Sequence, residues 1–163
     1  MDFTVRLATQ EDLEAVGRNT VSAYRDDGFI APDDDYLEEL ADAARRAREA
    51  EIWVAADETG VLGSVTFCSP GSEFAELSHG NEGEFRMLGV AAQSRRRGVA
   101  EALVVRCVER SRELGYDALV LCSMQQMTTA HRLYDRLGFH RVPERDWSPV
   151  AGIELLGFIL RLD

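Results

Sequence analysis

Hydrophobic and polar positions along the chain alternate with two different periods. FTVRLA (3–8) alternates as a short strand does. TQEDLEAV follows, where Thr9 and Asp12 have the spacing of a capping box and Glu11, Asp12 and Glu14 suit a helix N-terminus. Leu13, Val16, Thr20, Ala23 and Tyr24 then recur at helical spacing. RDDGFIAPDDD (25–35) carries the Gly, Pro and Asp of a loop, and a second helix is predicted from Asp34 or Asp35 to about Ala50.

EIWVAAD and VLGSVTFC (51–57 and 61–68) flank DETG and predict a hairpin. A long loop, SPGSEFAELSHGNEG, leads to a third strand at EFRMLGV (84–90). From about Arg97 to Leu114 the apolar positions Val99, Leu103, Cys107, Val108 and Leu114 fall near one helical face, and Gly115 closes it. ALVLC (118–122) reads as a buried central strand, TTAHRLYDRL (128–137) as a helix ended by Gly138, FHRVP as a short strand ended by Pro143. GIELLGFILRL (152–162) alternates as a last strand, with Leu156, Phe158, Leu160 and Leu162 on one face. The order β-α-α-β-β-β-α-β-α-β-β describes one α+β domain over residues 1–163, a length that suits a single core.

Composition narrows the class. Apolar residues make up 45%, enough for a globular core. No apolar stretch reaches membrane-spanning length, and the N-terminus lacks the basic and apolar regions of a secretory signal, so a cytoplasmic protein without a membrane partner is expected. Cys68, Cys107 and Cys122 are scattered, as reduced core thiols are, and neither they nor His79, His131 and His140 have metal-ligand spacing. The net charge is −11, of which residues 1–60 carry −10 from 16 acids and 6 arginines. All 18 basic residues are Arg. A nucleic-acid partner is not expected for want of a basic face, and a small or cationic partner near the N-terminal half fits better.

The candidate chemistry begins at LGVAAQSRRRGVA (88–100), a strand, a turn and a helix start. The first turn of a helix leaves N–H groups unpaired at the positive end of the dipole, which makes an anion site. Gly98 lets a phosphate approach the backbone, Ala100 keeps that approach open, and Arg95, Arg96 and Arg97 add charge. The chain has no lysine for a Walker A loop and no GxGxxG after a strand.

These residues resemble a known family. RRRGVA (95–100) behind MLGV is similar to the acyl-CoA signature of the GNAT N-acetyltransferase superfamily, and RLYDRLGF (132–139) is similar to its second signature. The resemblance covers essentially the whole chain. It implies a mixed seven-stranded sheet with flanking helices, splayed between its fourth and fifth strands, and acetyl-CoA as co-substrate. The pantetheine arm would pair with Leu88, Gly89 and Val90, and the pyrophosphate would sit on N–H groups from Arg95 through Val99 to Ala100. Tyr134 takes the family's general-acid position. Glu84 is expected as the base, with Glu82 or a water chain as alternatives. Met127 stands where relatives often carry an Asn that contacts the coenzyme; Gln125 or Gln126 could replace it. In this family the acceptor site is formed largely by the first helices, their loop and the last strands. Here Tyr24, Phe29, Tyr36 and Trp147 could supply an aromatic wall, and the acids of 26–35 could draw a cationic amine.

The expected function is acetyl transfer to a primary amine of a small molecule or peptide, with a homodimer allowed for. The alternative is a non-catalytic acyl-CoA-binding sensor or interaction module.

Overall fold

The computed structural model describes residues 2–163. Seven strands form one sheet in the order β1-β2-β3-β4-β5-β7-β6. They are β1 (Thr4–Leu7), β2 (Glu51–Asp57), β3 (Gly60–Cys68), β4 (Glu82–Val90), β5 (Ala118–Met124), β6 (His140–Arg141) and β7 (Leu155–Arg161). The helices are α1 (Leu13–Arg25), α2 (Tyr36–Ala41), α3 (Ala43–Glu49), α4 (Val99–Glu113) and α5 (Thr128–Arg136). Only β4 and β5 pair in parallel; the other neighbours are antiparallel. No helix among the described residues is long and apolar enough to cross a membrane.

Strand periodicity divides the core between the two faces. Trp53 and Ala55 of β2 pack with Leu103 and Cys107 of α4, while Ile52 and Val54 pack with Val16 of α1 and Ala43 of α3. Cys68 and Cys107 are fully buried, as small apolar residues are. The Thr9 turn matches its sequence: the Thr9 N–H donates to Asp12 Oδ2 at 2.7 Å, and Arg6 Nη1 donates to the same oxygen at 2.7 Å.

The expected long second helix is two helices. Asp42 breaks it, with ψ at 68° and a carboxylate that accepts the Arg45 N–H at 3.1 Å, as a cap does. Arg46, 1% exposed, then donates to the carbonyls of Glu39 and Leu40, both at 2.8 Å, satisfying the end of α2. The last strand starts at Leu155 rather than 152, because Gly152 and its neighbours turn.

The feature that positions the site is a split in the sheet. β4 and β5 pair only from Glu82 to Glu84 against Ala118 to Val120. Past that point β4 contains a bulge: Thr66 faces Arg86 and Ser64 faces Gly89, so three residue steps on β4 match two on β3. Met87 absorbs the extra residue at φ 56°. The expected strict alternation of Glu84, Arg86 and Leu88 on one face ends there.

Candidate active site

Two cavities open where β4 and β5 separate. The first, about 590 Å³, runs from the end of β4 to the start of α4. Leu88, Gly89, Val90, Arg95, Arg96, Gly98, Val99, Ala100 and Met127 all line it. Gly98, at φ 79°, caps α4 in a conformation that favours glycine. Among the described residues, no oxygen accepts from the backbone N–H groups of Arg96 to Glu101; the first helical bond here is Ala102 N–H to Gly98 at 3.0 Å. Five of these residues, Arg96 and Gly98 to Glu101, line the cavity, so their unpaired donors stand beside it at the positive end of a 15-residue helix.

Arg97 is not part of this cavity. Its guanidinium turns away to Asp2 at 2.8 Å and Asp57 at 3.3 Å, because the turn aims consecutive side chains in different directions. Arg95 lines the cavity but is held by Asp27, at 2.9 and 3.1 Å. Arg96 lines it with no hydrogen-bond partner among the described residues.

The second cavity, about 390 Å³, lies deeper in the split. Tyr24, Leu88, Met127 and Ala130 line both cavities and form their common wall. Tyr134 lines the second. Its ring packs among Phe85, Phe139 and Phe158 at centroid distances of 5.6–5.9 Å, so the side chain is only 4% exposed. Its hydroxyl makes no hydrogen bond among the described residues, and burial raises its pKa, keeping it protonated.

A family model of the acetyltransferase (GNAT) family matches residues 18–139. The chain belongs to this family. It is 34% identical over 102 residues to the N-acetylaspartate synthetase of Danio rerio, over 63% of this chain. It is 33% identical over 133 residues to the mycothiol acetyltransferase of Cellulomonas flavigena, over 72% of this chain. It spans 34% and 38% of the length of those two proteins. Its fold is similar to that of yncA from Salmonella typhimurium, solved with its cofactor acetyl-CoA, with a TM-score of 0.71 and 22% identity over 100% of this chain and 95% of that one.

The first cavity of this GNAT domain has the donor set acetyl-CoA needs. Unpaired N–H groups and Arg96 suit a pyrophosphate, and the edge of β4 that β5 leaves free suits the amides of a pantetheine arm.

Two other expected site residues lie elsewhere. Glu84 is 0% exposed and lines neither cavity. Its carboxylate accepts the N–H groups of Glu76, Leu77 and Ser78 at 2.8–3.1 Å. It anchors the long loop instead of reaching substrate. Burial raises its pKa, and those three N–H groups oppose the rise. Glu82, its alternative, is held by Arg145 at 2.7 and 3.0 Å. Trp147 also misses the cavities: it bridges Leu155 and packs on Leu77, Ala118, Val120 and Ile159.

Tyr36 lines the second cavity and Phe29 the first. The structure adds three residues to the second cavity. Arg86, 10% exposed, pairs through Nε with Glu76 Oε1 at 3.1 Å. Cys122 Sγ lies 3.7 Å from the same oxygen. The only sequence signal for Glu76 is its place in an unusually long loop; Cys122 has none beyond the phase of β5.

Proposed function

We propose that this chain transfers the acetyl group of acetyl-CoA to a primary amine by direct attack. The observation that carries the reading is the wall that the two cavities share at Leu88 and Met127, with an unpaired tyrosine hydroxyl in the second cavity. The pyrophosphate would rest on the N–H groups around Gly98, Val99 and Ala100. Each charge-assisted bond there contributes about 1.5–3 kcal/mol. Leu88, Gly89 and Val90 would pair with the pantetheine arm, which brings the thioester to the common wall. Met127 would flank the arm by packing, where an Asn would hydrogen-bond.

The acceptor enters the second cavity past Tyr24 and Tyr36. It arrives as an ammonium and loses one proton, and its nitrogen lone pair then attacks the thioester carbonyl. The carbon–sulfur bond breaks as the tetrahedral adduct collapses, and a second proton leaves nitrogen. Tyr134 protonates the departing thiolate and recovers a proton from the reacting nitrogen. The sum is amide, coenzyme A thiol and one proton to solvent. Glu84, spent on backbone N–H groups, takes no part in this sequence.

The test is thiol release from acetyl-CoA across a broad amine panel, with acetyl-CoA binding measured separately by thermal shift. At about 100 times Kd the ligand stabilises by about 2.7 kcal/mol. Amine-dependent release is the expected result. Binding without release for any amine leaves only a sensor, and no binding at all removes both readings.

A further inference from the structure

We propose that the acceptor is an amine carried on an apolar body without a neighbouring carboxylate, and that Glu76 receives its ammonium group and takes its first proton. The inference rests on the acetyl-transfer reading above and specifies its second cavity.

The walls of that cavity are largely apolar, with Ile30, Leu121, Met124, Val150, Ile153 and Leu155 among them. A volume of about 390 Å³ is that of a small-ligand pocket. Its charged residues are three acids, Asp34, Glu39 and Glu76, and one cation, Arg86. Three of the cation's five N–H groups are already engaged. Its Nη1 donates to the Phe74 carbonyl at 3.1 Å, its Nη2 to the Tyr36 hydroxyl at 2.8 Å, and its Nε faces Glu76. An amino acid's carboxylate would compete with Glu76 for Arg86 and lie among three acids, whereas an ammonium group meets three acids against one cation that Glu76 already pairs.

Glu76 stands out among the three acids. It bridges the two strands that the split separates, touching Arg86 of β4 and Cys122 of β5 through Oε1. Its Oε2 has no hydrogen-bond partner among the described residues, and the side chain is 27% exposed. Asp34 and Glu39 approach from the α2 side, and Asp34 already accepts the Tyr36 N–H at 2.9 Å.

Burial raises the pKa of Glu76 and Arg86 opposes the rise. The groups that face it are Arg86 and Glu84 from β4, Cys122 from β5, Tyr24 from α1, and Tyr36 and Glu39 from α2. Burial pushes the Cys122 thiol and the Tyr24 phenol each up to about 12, and raises Tyr36 as well. These three stay neutral near pH 7, so they are not bases for an ammonium.

The test uses matched pairs that differ by one carboxylate: 2-phenylethylamine against phenylalanine and tryptamine against tryptophan, with aspartate added. Thiol release gives kcat/KM for each as a function of pH. The expected result is a preference of at least about tenfold for the amine of each pair. E76Q keeps an oxygen for Arg86; it should lower kcat/KM by about 100-fold and remove the acidic limb of the pH profile. E39Q should keep that limb, and acetyl-CoA affinity should be unchanged in both. Turnover that favours the amino acids, or an E76Q profile with the wild-type limb, overturns this inference and leaves acetyl transfer standing. Acetyl-CoA binding without thiol release for any amine overturns acetyl transfer itself, and this inference with it.

Discussion

Asp27 and Arg95 meet across the mouth of the first cavity, carboxylate to guanidinium, at 2.9 and 3.1 Å. The pair ties the loop after α1 to the anion cradle. A bound pyrophosphate and Asp27 would compete for the same guanidinium. D27N should therefore tighten acetyl-CoA binding by about twofold to fivefold, since a pair this exposed is worth at most about 1 kcal/mol. Calorimetric titration checks this, and weaker binding by the variant would contradict it. Raising salt should narrow the difference.

Y134F removes an unpaired hydroxyl and keeps the ring that fills the space between Phe85, Phe139 and Phe158. Thermal stability and acetyl-CoA affinity should hold, while kcat falls by about 10²–10⁴ if the hydroxyl protonates the thiolate. Parallel melting curves and thiol-release rates separate the two effects.

E84Q places an amide among three backbone N–H groups that need an acceptor. Stability should fall by about 1–3 kcal/mol from the mismatch. The pH–rate profile should keep its wild-type shape, because Glu84 does not touch substrate. Urea melts and a pH series on the folded variant test both halves, and loss of the acidic limb would return Glu84 to the role of base.

Asp12 carries an acid-sensitive part of the stability. The hydrogen bond from Arg6, with those from Thr9, holds its carboxyl at about 2 against an ordinary 3.8, although burial works the other way. A carboxylate with a depressed value in the fold stabilises above its unfolded value and stops doing so as pH falls through the folded one. Between about pH 4 and pH 2 the protein should lose about 1–2 kcal/mol from this residue, discounted because Arg6 is partly exposed. D12N should lose that amount at pH 7 and show no further loss from this source on acidification. Urea melts at three pH values decide it.

Local signals carried the sequence reading a long way. The anion cradle depends on Gly98 and the helix start behind it, neighbours in sequence. Tyr134 depends on the phase of one helix. Gly98 lines the first cavity and Tyr134, expected from the resemblance of its helix, lines the second. Glu84 shows where such an argument ends: alternation gives its face of β4, but only the fold shows the loop at 76–78 closing over it. Trp147 is similar, since its partner strands start at residues 118 and 155. Arg97 differs from Arg95 and Arg96 only by where the turn aims it, which a run of three identical residues cannot encode. The break at Asp42 was visible in principle, because Asp followed three residues later by a helical N–H is a cap, but an unbroken Ala-, Glu- and Arg-rich run masks it.

Met87 has a consequence for how this protein can change. Its extra step puts Gly89, rather than Leu88, opposite Ser64, where α1 comes close: a Cβ at 89 would lie 3.3 Å from the Ala23 side chain. Deleting Met87 would set Leu88 opposite Val65 and leave Gly89 in place, giving an unbulged strand against β3. The most regular register of β3 and β4 is thus one that alters the side chains lining the cleft at Leu88. Selection for stability alone would favour mending the strand, and the cost would fall on the placement of Leu88 beside both cavities.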